Sequence, residues 1–128
     1  MIDHFGIGVS DFDRSRAFYE AALAPLGASC LHLVPLEHTG GVRVGGFGRE
    51  TPCFWIDAGG AQTPPVHCAF QADSRRMVDA FHAAALAAGG RDNGAPGLRG
   101  HYHAHYYGAF VLDPDGHNIE AVCHRPDG

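Results

Sequence analysis

The chain contains no lysine: all nine of its basic residues are arginine, set against fourteen Asp and Glu and ten His in 128 residues. Without lysine there is no Schiff-base amine and no phosphate-binding P-loop, since both need that side chain. A net charge of −5 leaves no basic face for a phosphate backbone, so nucleic acid is excluded as a partner. Serine is scarce as well. Ser10, Ser15, Ser29 and Ser74 include no G-x-S-x-G, which removes the serine-hydrolase elbow. No apolar run approaches the ~18 residues of a membrane span, and Met1-Ile2-Asp3-His4 shows neither a charged leader nor a cleavage site. A cytoplasmic protein without membrane attachment is expected. Cys30, Cys53, Cys68 and Cys123 are widely spaced, without any C-x-x-C, and read as buried thiols rather than disulfides or nucleophiles.

What is present is a chain written twice. Placing His4 on His67 also aligns Ala17-Phe18 with Ala80-Phe81, and residues 21–24 (AALA) with 84–87. Gly27 then meets Gly90, His38 meets His101, Gly45 meets Gly108 and Phe47 meets Phe110. Ile56 meets Ile119 and Ala58 meets Ala121. This divides one domain into modules of about 1–58 and 66–124, joined by a linker at 59–65.

Each module repeats one plan. An alternating strand (Ile2 to Val9; Val66 to Ala72) leads into a helix opened by Ser10 or Asp11 and by Asp73 or Ser74, whose oxygens satisfy free backbone N–H groups. Phe18, Ala21 and Ala22, and then Met77, Phe81, Ala84 and Ala85, recur at helical spacing. Gly27 and Gly89-Gly90 stop the helices. Three short strands follow in each half: Ser29 to Leu36, Gly41 to Phe47 and Cys53 to Asp57, then His101 to Tyr107, Ala109 to Asp113 and Asn118 to His124. Asp113-Pro114-Asp115-Gly116 marks a hairpin turn. The class is therefore α+β, βαβββ twice over, with one shared core.

Strand parity decides which side chains meet. Phe5, Ile7 and Val9 form an oily face, as do Cys68, Phe70 and Ala72, and Ile119, Ala121 and Cys123. His4, His67 and Glu120 fall on the opposite faces, and Asp57 is turned the same way. The repeat pairs His4 with His67 and Asp57 with Glu120. Two imidazoles and one or two carboxylates around a cavity would suit Zn, Fe, Mn, Ni or Co. Asp57 is the weaker member, because a short acid before Ala-Gly-Gly also reads as a turn residue.

The paired βαβββ plan, the opening IDHFGIGVSDFDRSRAFY and the closing YYGAFVLDPDGHNIEAVCH resemble the vicinal oxygen chelate superfamily. That group includes glyoxalase I, bleomycin-resistance proteins, fosfomycin-resistance enzymes and extradiol dioxygenases. The resemblance implies mixed sheets curved around a central cavity, with helices outside, and a homodimer. It implies His4 and His67 as first-strand metal ligands, Glu120 as the last-strand ligand, and a fourth position near Asp57. The implied chemistry is chelation of two neighbouring oxygens of a small molecule by a divalent metal, in a lyase, isomerase or dioxygenase. The alternative it implies is a metal-free, antibiotic-sequestering binding protein.

Residues 101–107 read His-Tyr-His-Ala-His-Tyr-Tyr. In extended form His101, His103 and His105 would line one face and supply ligands or acid–base groups; a polar loop with stacked rings is the plainer reading. Residues 93–100 read as a flexible approach, suited to a lid. Tyr106, Tyr107 and His105 join Glu120 as catalytic candidates, and Trp55, Tyr106, Tyr107 and His103 are candidates for contacting substrate.

Overall fold

A computed structural model describes residues 1–126 of the chain. Strand β1 (Phe5–Gly8) leads into helix α1 (Phe12–Leu23), followed by β2 (Ser29–Leu33), β3 (Val44–Gly48) and β4 (Phe54–Asp57). The second half repeats this order as β5 (His67–Gln71), α2 (Arg75–Ala87), β6 (Arg91–Leu98), β7 (Tyr107–Leu112) and β8 (Asn118–Cys123). Each half forms a mixed four-stranded sheet, ordered β1-β4-β3-β2 and β5-β8-β7-β6, in which the first strand pairs in parallel with the last. The architecture is the α+β arrangement expected. Among the described residues no ladder joins β1 to β5, so the two sheets stay separate.

The helices start where the capping residues dictate. Asp11 accepts a hydrogen bond from the Arg14 N–H, and Ser74 from the Met77 N–H, each satisfying a donor the first turn leaves free. Gly27, at φ 81°, takes the left-handed conformation that ends the first helical stretch. One face of each helix goes inward: Phe12, Phe18, Tyr19 and Ala22 from α1, and Val78, Phe81 and Ala85 from α2. In α2 Val78 is fully buried, whereas Met77 only packs against the edge of the core. The two helices pack on each other. A continuous apolar cluster, from Ile7 and Val9 through Phe47, Phe54 and Ile56 to Ile119, Ala121 and Cys123, runs through both halves.

Hydrogen bonds between the halves reinforce that core. The buried Tyr19 hydroxyl donates to the Asp113 carboxylate, and the Ser10 hydroxyl to Asp115. The fully buried His117 ring accepts from the Val66 N–H at 3.1 Å and lies 3.4 Å from the Gly8 carbonyl. The Asp-Pro-Asp-Gly turn is thus a hub: Asp113 also accepts the N–H groups of Asp115 and His117.

The second half departs from the sequence expectation between α2 and β7. The strand there is Arg91–Leu98, the stretch that reads as a flexible approach. Residues 101–106, expected as strand, are turns. Pro96 explains the misreading. It has no N–H to give a ladder, yet β6 is an edge strand with register shifts between Asp92 and Gly94 and between Gly94 and Gly97, where proline is tolerated.

Candidate functional site

With the helices covering one face of each sheet, the other face carries the polar candidates. Glu120 sits in the middle of β8, paired with Ala69 on one side and Phe110 on the other. Although it belongs to the open face, it is only 1% exposed. Its neighbours do the covering. His67, one pleat back on β5, places Nε2 2.8 Å from Glu120 Oε1, and the Tyr106 hydroxyl donates to Oε2. Gly108 leaves room beside that second bond. A Cβ there would come within 3.3 Å of Glu120 Oε2 and 3.1 Å of the Tyr106 ring. Burial, together with the bond to the Glu120 carboxylate, holds the Tyr106 phenol well above its ordinary range, so it stays protonated as a donor.

Tyr106 is delivered by the turns that replace the expected His/Tyr strand. Arg99 donates its N–H to the Tyr106 carbonyl, Tyr102 to the Arg99 carbonyl, and Tyr106 to the His103 carbonyl. His103 accepts the His105 N–H at Nδ1, so its Nε2 carries the proton and donates to His124 Nδ1 at 2.7 Å. The rings of His103 and His124 lie 5.3 and 5.4 Å from that of Tyr106. The three imidazoles of the segment therefore do not line a strand face. His103 buttresses Tyr106, while His101 and His105 are exposed.

Other candidates stand apart. Tyr107 points the opposite way along β7, toward α2, where its hydroxyl donates to Asp79 at 2.6 Å and the Arg75 guanidinium lies over its ring. That bond raises the Tyr107 phenol above its ordinary range. The His4 side chain, 61% exposed, contacts Asp3 at 2.6 Å. Among the described residues no three His, Cys, Asp or Glu side chains gather as a metal-binding group, so His4 is not brought to His67 and Glu120 within the chain. Asp57, at the end of β4, accepts the Gly59 N–H and closes a turn.

The ladders show why Asp57 is the wrong counterpart for Glu120. With His4 and His67 equivalent, so are Val9 and Ala72, which donate to the carbonyls of Asp57 and Val122. Asp57 therefore matches Val122. Two residues earlier, Trp55 matches Glu120: Trp55 pairs with Gly6, as Glu120 pairs with Ala69. An ungapped alignment hides this, because the loops of the second half are longer.

Two hollows flank these elements. One of about 280 Å³ lies between β1 and β5, lined by Ile2, Phe5, Gly6, His67, Cys68 and Ala69, and borders the His67 ring. A larger one of about 430 Å³ opens beside Phe47, Phe54 and Phe70 with Arg49 at its rim. It holds none of the candidate residues, whereas the smaller is lined by His67.

An imidazole nitrogen and a carboxylate oxygen are donor types that divalent cations take. His67 Nε2 and Glu120 Oε1, 2.8 Å apart, are hydrogen-bonded to each other. Among the described residues no Arg contacts this carboxylate; its polar partners are the His67 imidazole and the Tyr106 hydroxyl.

Comparison with known proteins agrees with this architecture. The profile of the glyoxalase/bleomycin resistance protein/dioxygenase superfamily matches residues 1–121. A glyoxalase/bleomycin resistance protein from Albidiferax ferrireducens is 27% identical with a TM-score of 0.73, covering 96% of this chain and 98% of that one. Glyoxalase I from Zea mays is 22% identical (TM-score 0.70) over 98% of this chain, which spans 45% of the maize enzyme. A variant of the fosfomycin resistance protein FosX from Listeria monocytogenes, solved with Mn(II) and a dihydroxypropylphosphonic acid, is 18% identical (TM-score 0.69), covering 95% and 90% of the two chains. No curated protein matches. With the family profile spanning nearly its whole length and the same fold throughout, the chain belongs to the glyoxalase/bleomycin resistance protein/dioxygenase superfamily.

Proposed function

We propose that this protein is a divalent-metal-dependent enzyme that acts on a small oxygenated molecule, and that it works as a homodimer in which His67 and Glu120 of one copy are joined by His4 of another. The observation that carries the reading is the His67–Glu120 pair, two donor atoms 2.8 Å apart around a carboxylate buried at 1% exposure. Neutral imidazole nitrogen and carboxylate oxygen suit Zn, Fe, Mn, Ni or Co. When bound, such an ion acts as a Lewis acid on two neighbouring substrate oxygens. The Mn(II) in the structurally similar FosX variant supports a divalent ion on this fold.

The chain's own residues supply the rest. Tyr106 holds the second oxygen of Glu120 and, kept protonated, can hand its hydrogen bond to a substrate oxygen. His103 fixes the Tyr106 ring in place, and His105 stands exposed beside it. Trp55 offers an apolar contact on the open face of the first sheet. His4, exposed just before β1 and in contact with Asp3, would serve a neighbouring copy.

Mixing two damaged proteins tests this. His4→Ala and His67→Ala each lose metal uptake. Mixed and allowed to exchange subunits, they regain about a quarter of the wild-type sites, because heterodimers contain one intact pairing. Uptake by wild type without recovery on mixing would contradict the shared site, and no uptake by wild type would contradict the metal. One observation favours a second reading, a metal-free binding protein: an indole stands where the first half would carry its own acid. That protein would bind its ligand unchanged in chelator.

A further inference from the structure

The larger hollow plays no part in the proposed metal site, and its walls come from three places. Leu23 and Leu26 enter from the end of α1 and the helical turn Ala24–Leu26 behind it, Phe47 and Phe54 from the first sheet, and Phe70 from the second. All five pack in or against the core, so the hollow lies on the helix side of the sheets. Glu120 and its ladder partner Ala69 face the other way. The Phe54 and Phe70 rings meet edge to face across the junction of the halves, their centres 5.2 Å apart. Three aromatic rings and two leucines leave about 430 Å³ unfilled. A dry cavity of ~150 Å³ holds a benzene, so this space takes a hydrocarbon body of two fused rings with a substituent.

The rim carries a fixed cation. Between β3 and β4 the chain turns tightly: a Cβ on Gly48 would collide with the Thr51 carbonyl, and the Cys53 N–H returns to the Phe47 carbonyl at 2.8 Å. Arg49 extends from this turn. Its Nε–H donates to the Leu26 carbonyl at 2.8 Å, just where Gly27 ends the helical stretch. Its Nη2 donates to the Gln71 carbonyl at 3.2 Å, on β5, the edge strand of the second sheet. One main-chain oxygen from each half thus pins the guanidinium. Among the described residues three of its five N–H donors stay unbonded. Asp73 stands 3.7 Å from Nη1, beyond hydrogen-bond length. Glu50 shares the rim but makes no hydrogen bond or ion pair among the described residues that would fix it there.

We propose that this hollow is a second binding site, for a small apolar carboxylate. The hydrocarbon body fills the space between Phe47, Phe54 and Phe70, and the acid takes the unbonded N–H groups of Arg49. Burial of the apolar body supplies affinity, and the pinned guanidinium supplies the choice of head group. It gives a carboxylate charge-assisted hydrogen bonds that a neutral amide cannot match, and it repels an ammonium. Nothing in this site depends on a metal at His67 and Glu120.

Cys53 lines the hollow and is exposed, so its thiol reports occupancy, while Cys30 lies outside the lining. The full-length protein, in chelator, is titrated by calorimetry with 2-naphthoate, with neutral 2-naphthamide and with 2-naphthylmethylammonium. Iodoacetamide labelling of each cysteine is followed in parallel by peptide mass spectrometry. Naphthoate is expected to bind once per chain, at least about 5-fold more tightly than the amide. It should slow Cys53 labelling in step with occupancy and leave the Cys30 rate unchanged. Arg49→Gln should erase the preference while the amide still binds. Ala28→Leu, which fills the hollow from its wall, should abolish binding of both in a protein whose urea midpoint shows it folded. Equal or tighter binding of the amide or the ammonium would overturn the proposal. So would naphthoate binding that spares Cys53 labelling, or that Arg49→Gln leaves at full strength. A Cys53 already shielded in the free protein would mean that a second copy covers the mouth, and would overturn it too.

Discussion

Glu120 has two oxygens and two partners, and at 1% exposure it has no water to fall back on. Its two partners are therefore what satisfies the buried carboxylate. Parity and the repeated histidine make His67 and Glu120 legible in the sequence, since both properties depend only on strand period. Tyr106 was legible as a candidate, but its attachment to Glu120 was not, because it arrives from a turn rather than along a strand. Trp55 shows the opposite limit: its equivalence with Glu120 depends on loop lengths, which residue spacing in an ungapped alignment cannot reveal. Removing the Tyr106 hydroxyl tests the residue-level account. Tyr106→Phe keeps the ring packed on His103 and His124 but frees Oε2. Metal affinity, measured by competition with a chromogenic chelator, is expected to fall about 10-fold, the usual effect of losing a group that orients a ligand. Unchanged affinity would mean that Tyr106 only fills space. Gly108→Ala should weaken binding in the same direction, because the new methyl would crowd both Tyr106 and Glu120 Oε2.

At the scale of elements, the helices were the most readable parts. A capping oxygen, an apolar face at helical spacing and a terminal glycine are all local signals, and Asp11, Ser74 and Gly27 act in the structure as their chemistry dictates. Ser74→Ala leaves the Met77 N–H without its acceptor and should lower stability by about 1 kcal/mol, read from the denaturant midpoint. A shift indistinguishable from zero would show that water replaces the cap without loss. Strand β6 was the least readable element. Its Gly-Ala-Pro-Gly run has the composition of a loop, and only the adjacent β7 ladder makes it a strand. The neighbouring histidines show the converse. Their alternation mimics a strand, but Arg99, Tyr102, His103 and Tyr106 close backbone turns instead, and those turns bring Tyr106 over Glu120.

At the scale of the whole molecule, the halves are joined by an apolar core and by the buried Tyr19–Asp113 bond, and four groups of the molecule are held protonated. Tyr19, held by burial and by Asp113, keeps its proton well above the ordinary phenol range. Burial pushes the Cys68 thiol up to about 11, and Tyr106 and Tyr107 are raised as well. All four are acids that the folded state holds neutral. Their stabilisation is complete below the unfolded values, about 9 for the thiol and about 10 for the phenols, and drains away as pH climbs through the folded ones. The urea midpoint is expected to hold steady from neutral pH to about 8 and to fall above about 9, with a shallower fall in Tyr19→Phe. A midpoint insensitive to alkali would contradict the junction described.

The central claim is that His67 and Glu120 hold a divalent metal. Calorimetric titration of chelator-stripped protein with Mn, Fe, Co, Ni and Zn, run beside Glu120→Gln, tests it most directly. The account predicts one ion per chain for at least one of these metals, with affinity at least ~100-fold weaker once the buried carboxylate becomes an amide of the same shape. Absence of stoichiometric binding by the wild type, or equal binding by Glu120→Gln, would contradict it.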